Sequence, residues 1–227
     1  MTVGPARRRG LGSEVADMVR EAIFDGRYPP GSALREVELA EALEVSRGPV
    51  RDALRSLAGE GLVNAEWHRG TTVAVLSLQD VAELDSLRGA LEVLAVQRVV
   101  ATGASLDRIA AAAEEMERAR TPHEMVRCDI AFHDAVYAAA GHSRLVQAWE
   151  AIRSQVQLFL ITRVQVSTDG YLEQIREEHR DLVAALRLGN VEGALKLFAV
   201  HRAHAFDLLT SGRSPHESAD PSQHSTP

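Results

Sequence analysis

A single cysteine, Cys128, leaves no internal partner, so the fold cannot rest on a disulfide framework and the chain suits a reducing cytoplasm. Its thiol reads as a small buried hydrophobe, not a reactive group. Aromatic residues make up only 4% of the 227 residues, which disfavours a sheet-rich core. No run approaches the roughly 18 continuous apolar residues of a membrane span. Arg7, Arg8 and Arg9 are followed by no apolar segment, which argues against a secretory signal. Positive charge is also scarce: 25 Lys and Arg face 32 Asp and Glu, a net charge of -7. A protein with that balance cannot hold nucleic acid with its whole surface.

The deficit is uneven. Residues 1–78 hold 10 Arg and 11 acids, and the remainder holds 15 basic and 21 acidic residues. Within the nearly balanced first part, LEVSRGPVRDALRSL over residues 43–57 concentrates positive charge on one helical face. Arg47, Arg51 and Arg55 recur at i, i+4 and i+8 and stack into a ridge. Val50, Leu54 and Leu57 form a buried stripe on another side. Such a helix suits the major groove, because a guanidinium fork matches phosphate oxygens and the guanine edge bidentately. The local field of the ridge matters to DNA more than the charge of the whole molecule.

Residues 1–12 are rich in Gly, Pro and Arg and read as a loose arm. From Ser13, an N-cap candidate, Val15, Met18, Val19, Ala22 and Ile23 mark an amphipathic helix that Gly26 stops. Tyr28-Pro29-Pro30-Gly31 is a turn. A short helix over residues 36–43 leads into the arginine helix, with Ser46 as its N-cap and Pro49 in its first turn. Gly59 and Gly61 close that helix. Extended Leu62-Val63, a turn at Trp67-His68-Arg69-Gly70 and β-branched residues to Val75 make a hairpin. Helix, helix, reading helix and hairpin over residues 13–76 form a winged helix-turn-helix.

Those residues carry a resemblance. Residues 15–75 resemble the DNA-binding domain of the GntR superfamily of bacterial transcription regulators, through Pro30-Gly31, Leu34, Leu39-Ala40, VSRGPVRDALRSLAGEGLV over residues 45–63, and Gly70 with Val73. The resemblance implies that Arg47 and Arg51 contact the operator, that Ser46 contacts a phosphate, and that His68, Arg69 and Gly70 enter the minor groove, with Arg55 extending the ridge. Gly48 departs from the pattern, where relatives carry a side chain. It lowers helix propensity by up to about 1 kcal/mol and removes one contact.

Ser77-Leu78-Gln79-Asp80 is a capping-box pattern and opens a second domain over residues 78–211. Breaks at Gly103, Thr121-Pro122, Gly141, Asp169-Gly170 and Gly189-Asn190 divide it into about six helices: 78–100, 106–120, 122–140, 143–166, 171–188 and 190–211. With short loops they pack as an antiparallel bundle, so the chain is mainly α. Residues 212–227 turn to Ser, Pro, His and Asp and read as a disordered tail.

Polar residues on apolar stripes are the informative ones. Asp129 and His133 fall among Met125, Phe132, Val136 and Ala140; His179 falls among Leu172, Ile175, Leu182, Val183 and Leu186; His201 falls among Ala194, Leu197, Phe198, Ala205 and Leu208. Taken singly, a core histidine is more often hydrogen-bonded than metal-bound. Four such groups converging favour a divalent transition metal, since a metal pairs them all at once. Asp129 and His133, at i and i+4, project as a chelating pair, and three imidazoles with one carboxylate suit zinc, nickel, iron or manganese. His204 stands at the edge of the same face. His123, His142, His216 and His224 sit at breaks or in the tail and read as solvated. Arg88 faces the bundle with Val81, Leu84, Leu91 and Ala95; it either pairs with Glu92 at i+4 or waits for a ligand carboxylate.

Residues 80–211 resemble the all-helical effector domain of the FadR subfamily, in its six-helix VanR-type branch, through Leu87-Arg88, Leu91-Glu92, Asp129 with Phe132-His133, Glu178-His179 and His201. The resemblance implies a metal at Asp129, His133, His179 and His201, a small organic acid completing its coordination beside Arg88, and homodimerisation. Gly141-His142-Ser143 departs from the Gly-Asn-Pro of many relatives. The expectation is a non-enzymatic, cytoplasmic transcription regulator, a repressor that reads an inverted repeat in double-stranded DNA. Two rivals are a regulator with a purely structural metal, and a metal-dependent hydrolase or oxygenase fused to a DNA-binding domain.

Overall fold

The computed structural model describes residues 10–66, 70–166 and 170–211, with backbone alone at 66, 165, 166 and 206–211. The expected wing-tip residues Trp67, His68 and Arg69, most of the N-terminal arm and the tail after Ser211 lie outside the described residues. Among the described residues, no helix is long and apolar enough to cross a membrane.

Helix α1 (Leu11–Phe24) begins two residues before the expected Ser13 cap. The Ser13 N–H donates to Gly10 O at 2.9 Å, so Gly10 caps the helix and Ser13 lies inside its first turn. Helix α2 (Glu36–Ala42) and helix α3 (Arg47–Gly59) follow, and Ser46 occupies the N-cap position of α3 without a side-chain capping bond. Val15, Val19 and Ile23 of α1 and Val50, Leu54 and Leu57 of α3 are buried, so the two helices share a core and the arginine side of α3 faces out.

Strands β1 (Val63–Glu66) and β2 (Gly70–Val73) pair antiparallel, Val63 opposite Val73. A third extended segment joins them: Gly31 N–H donates to Val73 O at 3.0 Å, Val73 N–H to Ser32 O at 2.9 Å, and Leu34 N–H to Thr71 O at 2.8 Å. That segment is too short, and too rich in proline and glycine, to show alternation in the sequence.

Six helices follow: α4 (Leu78–Thr102), α5 (Asp107–Glu115), α6 (Pro122–Ala139), α7 (Ser143–Val166), α8 (Tyr171–Leu188) and α9 (Val191–Ser211). Residues 116–118 form a 3-10 turn where one longer helix was expected. The capping boxes are local and complete. Ser77 accepts from the Asp80 N–H while the Asp80 carboxylate accepts from the Ser77 N–H, and Thr121 and Glu124 repeat the arrangement ahead of α6. His142 is not simply solvated, because its Nδ1 accepts from the Leu145 N–H and so caps α7. Cys128 is only half-buried, and burial pushes its thiol up.

The reading head and the bundle meet at a polar seam. Arg20 of α1 grips Glu60, just after α3, through Nε at 2.8 Å and Nη2 at 2.6 Å, and Ser154 of α7 donates to the same carboxylate at 3.1 Å. Arg127 of α6 reaches Asp25 at 3.0 Å. His123, expected to be solvated, instead packs its buried Nε2 against Gly26. Gly61 has φ +70°, and a Cβ there would lie 2.6 Å from Cδ of Gln155. Gly61→Ala should therefore lower stability by about 1–2 kcal/mol in chemical denaturation. Adding Gln155→Ala should return only part of that loss, because the backbone conformation keeps its cost.

Candidate functional site

The arginine ridge is where its spacing places it, with the Arg47, Arg51 and Arg55 side chains 59%, 56% and 72% exposed. It is not a bare cationic surface. Glu36 of α2 accepts from Arg47 Nη2 at 3.1 Å and from Arg51 Nε and Nη2 at 3.2 and 3.1 Å, while Arg55 pairs with Asp52. The hydrogen bond from Arg51 holds the Glu36 carboxylate below its ordinary range. Glu36 was not visible as a partner because it lies 15 residues from Arg51 and meets it only through the turn between α2 and α3. Gly48 is exposed with open space around it, and Gly70 takes a positive φ of 83° at the start of β2.

Within the bundle, Asp129 and His133 from α6, His179 from α8 and His201 from α9 converge, all buried, and one ligand atom from each lies within 4.8 Å of the others. His179 Nε2 lies 3.1 Å and His201 Nε2 3.4 Å from Asp129 Oδ1, and His133 Nε2 lies 3.5 Å from His201 Nε2. Donors about 2.0–2.1 Å from one ion stand roughly 3.0–3.4 Å apart, so these spacings fit a metal.

Proton placement sharpens the fit. His179 Nδ1 lies 2.8 Å from Ile175 O, and a carbonyl only accepts, so Nδ1 carries the proton. Burial lowers the pKa of His179, which makes it neutral and turns its Nε2 lone pair toward the Asp129 oxygen. Two acceptors facing each other in a dry interior need a cation between them. Asp129 Oδ2 and His179 Nε2 are buried without a hydrogen-bond partner.

His201 donates from Nδ1 to Glu178 Oε2 at 2.7 Å, which aims Nε2 inward. Burial alone would lower its pKa, but contacts with Asp129 and Glu178 raise it to about 9. Burial likewise opposes the charge of Glu178, and the bond from His201 takes that carboxyl down to about 2. Burial also works against Asp129, yet the facing His201, which its contacts keep protonated, holds the carboxyl well below the carboxylate range. Glu178 also binds His204 at 2.7 Å, which places His204 outside the cluster and behind His201. The glutamate drew no notice as a partner because it precedes His179, and its reach to α9 is a tertiary fact.

Arg88 takes the first of its two alternatives, the pair with Glu92, and also reaches the histidine cluster. Its Nε donates to Glu92 at 2.8 Å, and its Nη2 donates to His133 Nε2 at 2.6 Å. Burial and this guanidinium push His133 well below its ordinary value, so the ring is a neutral acceptor. Glu92, 1% exposed, also takes Arg202 of α9 at 2.5 Å. Gly89 makes room for that contact, because a Cβ there would sit 2.8 Å from Arg202 Nη2. Between α4, α7 and α9, Arg88 walls a cavity of about 20 Å³ with Val81, Leu84, Phe159 and Arg202. That volume holds about one water.

A winged reading head joined to a helical bundle with a buried polar centre defines a DNA-binding transcription regulator. Residues 11–73 match the family of bacterial regulatory proteins, gntR family, and residues 83–204 match the FCD domain. The chain is 32% identical over 201 residues to a probable D-xylose utilization operon transcriptional repressor of Paenarthrobacter nicotinovorans, covering 86% of this chain and 87% of the relative. It is 26% identical to the gluconate operon transcriptional repressor of Bacillus subtilis, covering 86% and 82%. A crystal structure of a GntR transcriptional regulator from Rhodococcus sp. RHA1 superposes with a TM-score of 0.76 at 27% identity, covering 89% of this chain and 99% of that one. The chain belongs to the GntR family, with the FadR-like architecture of a GntR head and an FCD domain.

Proposed function

We propose that this regulator is a homodimeric repressor that reads an inverted repeat in double-stranded DNA, and that a small carboxylic acid bound beside a divalent metal sets its operator affinity. The observation that carries the metal reading is the neutral Nε2 of His179 facing the Asp129 carboxylate at 3.1 Å. Asp129, His179 and His201 would hold the ion, and His133 would join them once Arg88 releases its Nε2 lone pair. Zinc suits the donor set, and nickel, iron and manganese share it. Bound there, the ion supplies a Lewis-acidic position for one ligand oxygen. Both relatives described above are named as repressors, and one of them for the operon of a hydroxy acid.

The remaining steps belong to the chain. Arg88 presents its guanidinium at the wall of a cavity smaller than an organic acid, so an acid that pairs with it must part α4, α7 and α9. Helix α4 begins four residues after β2, and Ser154 of α7 holds Glu60 at the end of α3. Parting these helices therefore moves elements tied to the reading head, which links acid binding to operator binding. Each head offers one 13-residue reading helix, and two copies supply the second half-site. Leu87 and Leu94, one heptad apart on α4 and 46% and 38% exposed, support a protein partner on that face.

Three measurements test the reading. Arg51→Ala should weaken operator binding about 5- to 100-fold at matched salt, as expected for a bidentate base contact; unchanged affinity sinks the recognition-helix assignment. Elemental analysis should find metal in the wild type and none in His179→Ala or His201→Ala, and full retention in both variants rejects the site. Calorimetry with small carboxylic acids should show at least tenfold weaker binding in Arg88→Ala, whereas equal affinity would leave Arg88 a structural partner of Glu92.

A further inference from the structure

We propose that Arg163 forms a second carboxylate-binding site in the bundle, separate from the histidine cluster. Arg163 lies near the end of α7 and is 1% exposed. Its guanidinium stands 4.9 Å above the ring of Tyr171, the first residue of α8. Its Nε and Nη2 are buried, and neither meets a hydrogen-bond acceptor among the described residues. The N–H groups of those two nitrogens point from one edge of the guanidinium, the edge that takes both oxygens of a carboxylate. Arg153, three turns earlier on the same helix, shows that edge filled: its Nε lies 2.8 and 3.0 Å and its Nη2 2.8 Å from the oxygens of Asp134. Arg88 and Arg20 likewise have their glutamates. Among the described residues, Arg163 has the fork without the acid.

A guanidinium cannot shed its proton to escape burial, as a lysine or histidine does. An interior charge without a counterion is strongly disfavoured, and the face of one tyrosine offsets only part of that. A planar anion with two oxygens satisfies both the charge and the two donors, so the ligand class is a compact carboxylate. Tyr171 lies eight residues before His179, about 12 Å along α8. Arg163 and Tyr171 are not among the four clustered residues, so the fork is a distinct set of donors. The proposal does not depend on a metal.

The test uses full-length, chelator-treated protein in a buffer free of carboxylate and phosphate, with sodium acetate as the probe and sodium chloride at equal ionic strength as the control. Acetate should raise the melting temperature of the wild type by about 3–5 °C for each tenfold excess over its Kd, beyond the chloride control. Arg163→Met should lose that rise. Arg163→Lys, which keeps the charge but loses the fork, should need at least tenfold more acetate, and Arg88→Met should keep the rise. Without acetate, Arg163→Met should melt at or above the wild type, because it removes an uncompensated buried charge. A wild type that responds no more than to chloride, an Arg163→Met that keeps the full rise, or one that melts several degrees below the wild type without acetate each overturns the proposal. Because the protein is metal-free, none of these outcomes bears on whether the histidine cluster binds metal.

Discussion

The constraint on which the bundle depends is the meeting of Asp129 with the inward nitrogens of His133, His179 and His201. An ionised carboxylate at the centre of a helical domain is tolerable only with cations or donors around it. Here three helices aim imidazoles at it, and an outer layer fixes their direction: Ile175 O holds the tautomer of His179, Glu178 holds His201, and Arg88 approaches His133. Beside this centre, Glu92 gathers both Arg88 and Arg202. Each helix of the cluster is thus positioned by chemistry as well as by apolar packing.

The same layout joins the centre to the reading head. Helix α4 carries Arg88 and Glu92 and follows the hairpin after four residues, so it is both a wall of the site and the direct continuation of the winged domain. The seam adds a second connection at Glu60, which closes α3 and is held from both sides by Arg20 and Ser154. A change at the centre therefore has two short physical routes to α3. The ridge itself is poised and not bare. Glu36 holds the heads of Arg47 and Arg51 while they stay more than half exposed, so any anion that reaches them must compete with a carboxylate already in place. Competition of that kind lowers non-specific attraction to DNA, consistent with a chain of net charge -7.

Much was legible in the sequence because it is local. Helical periodicity, capping boxes at Ser77 and Thr121, and glycines at Gly103, Gly141 and Gly189 determine where helices start and stop through contacts spanning only a few residues. The same periodicity put Asp129, His133, His179 and His201 on buried stripes, since a face needs only the angle per residue. Where local signals were weak, boundaries moved: α1 starts at Leu11 because Gly10 offers a free carbonyl without needing a side-chain cap, and residues 116–118 tighten into a 3-10 turn.

Periodicity can say that a residue faces inward, but not which inward residue it meets. That Glu36 holds Arg51, that Glu178 turns to His201, that Glu92 is shared by two arginines and that Arg163 is buried without an acid among the described residues all depend on how helices distant in sequence cross. The sequence by itself determined the order of elements, the arginine face of α3 and the buried stripes, because those follow from short-range geometry. Only the tertiary structure decided the partners, since a hydrogen bond is settled within a few tenths of an ångström and packing alone sets that distance.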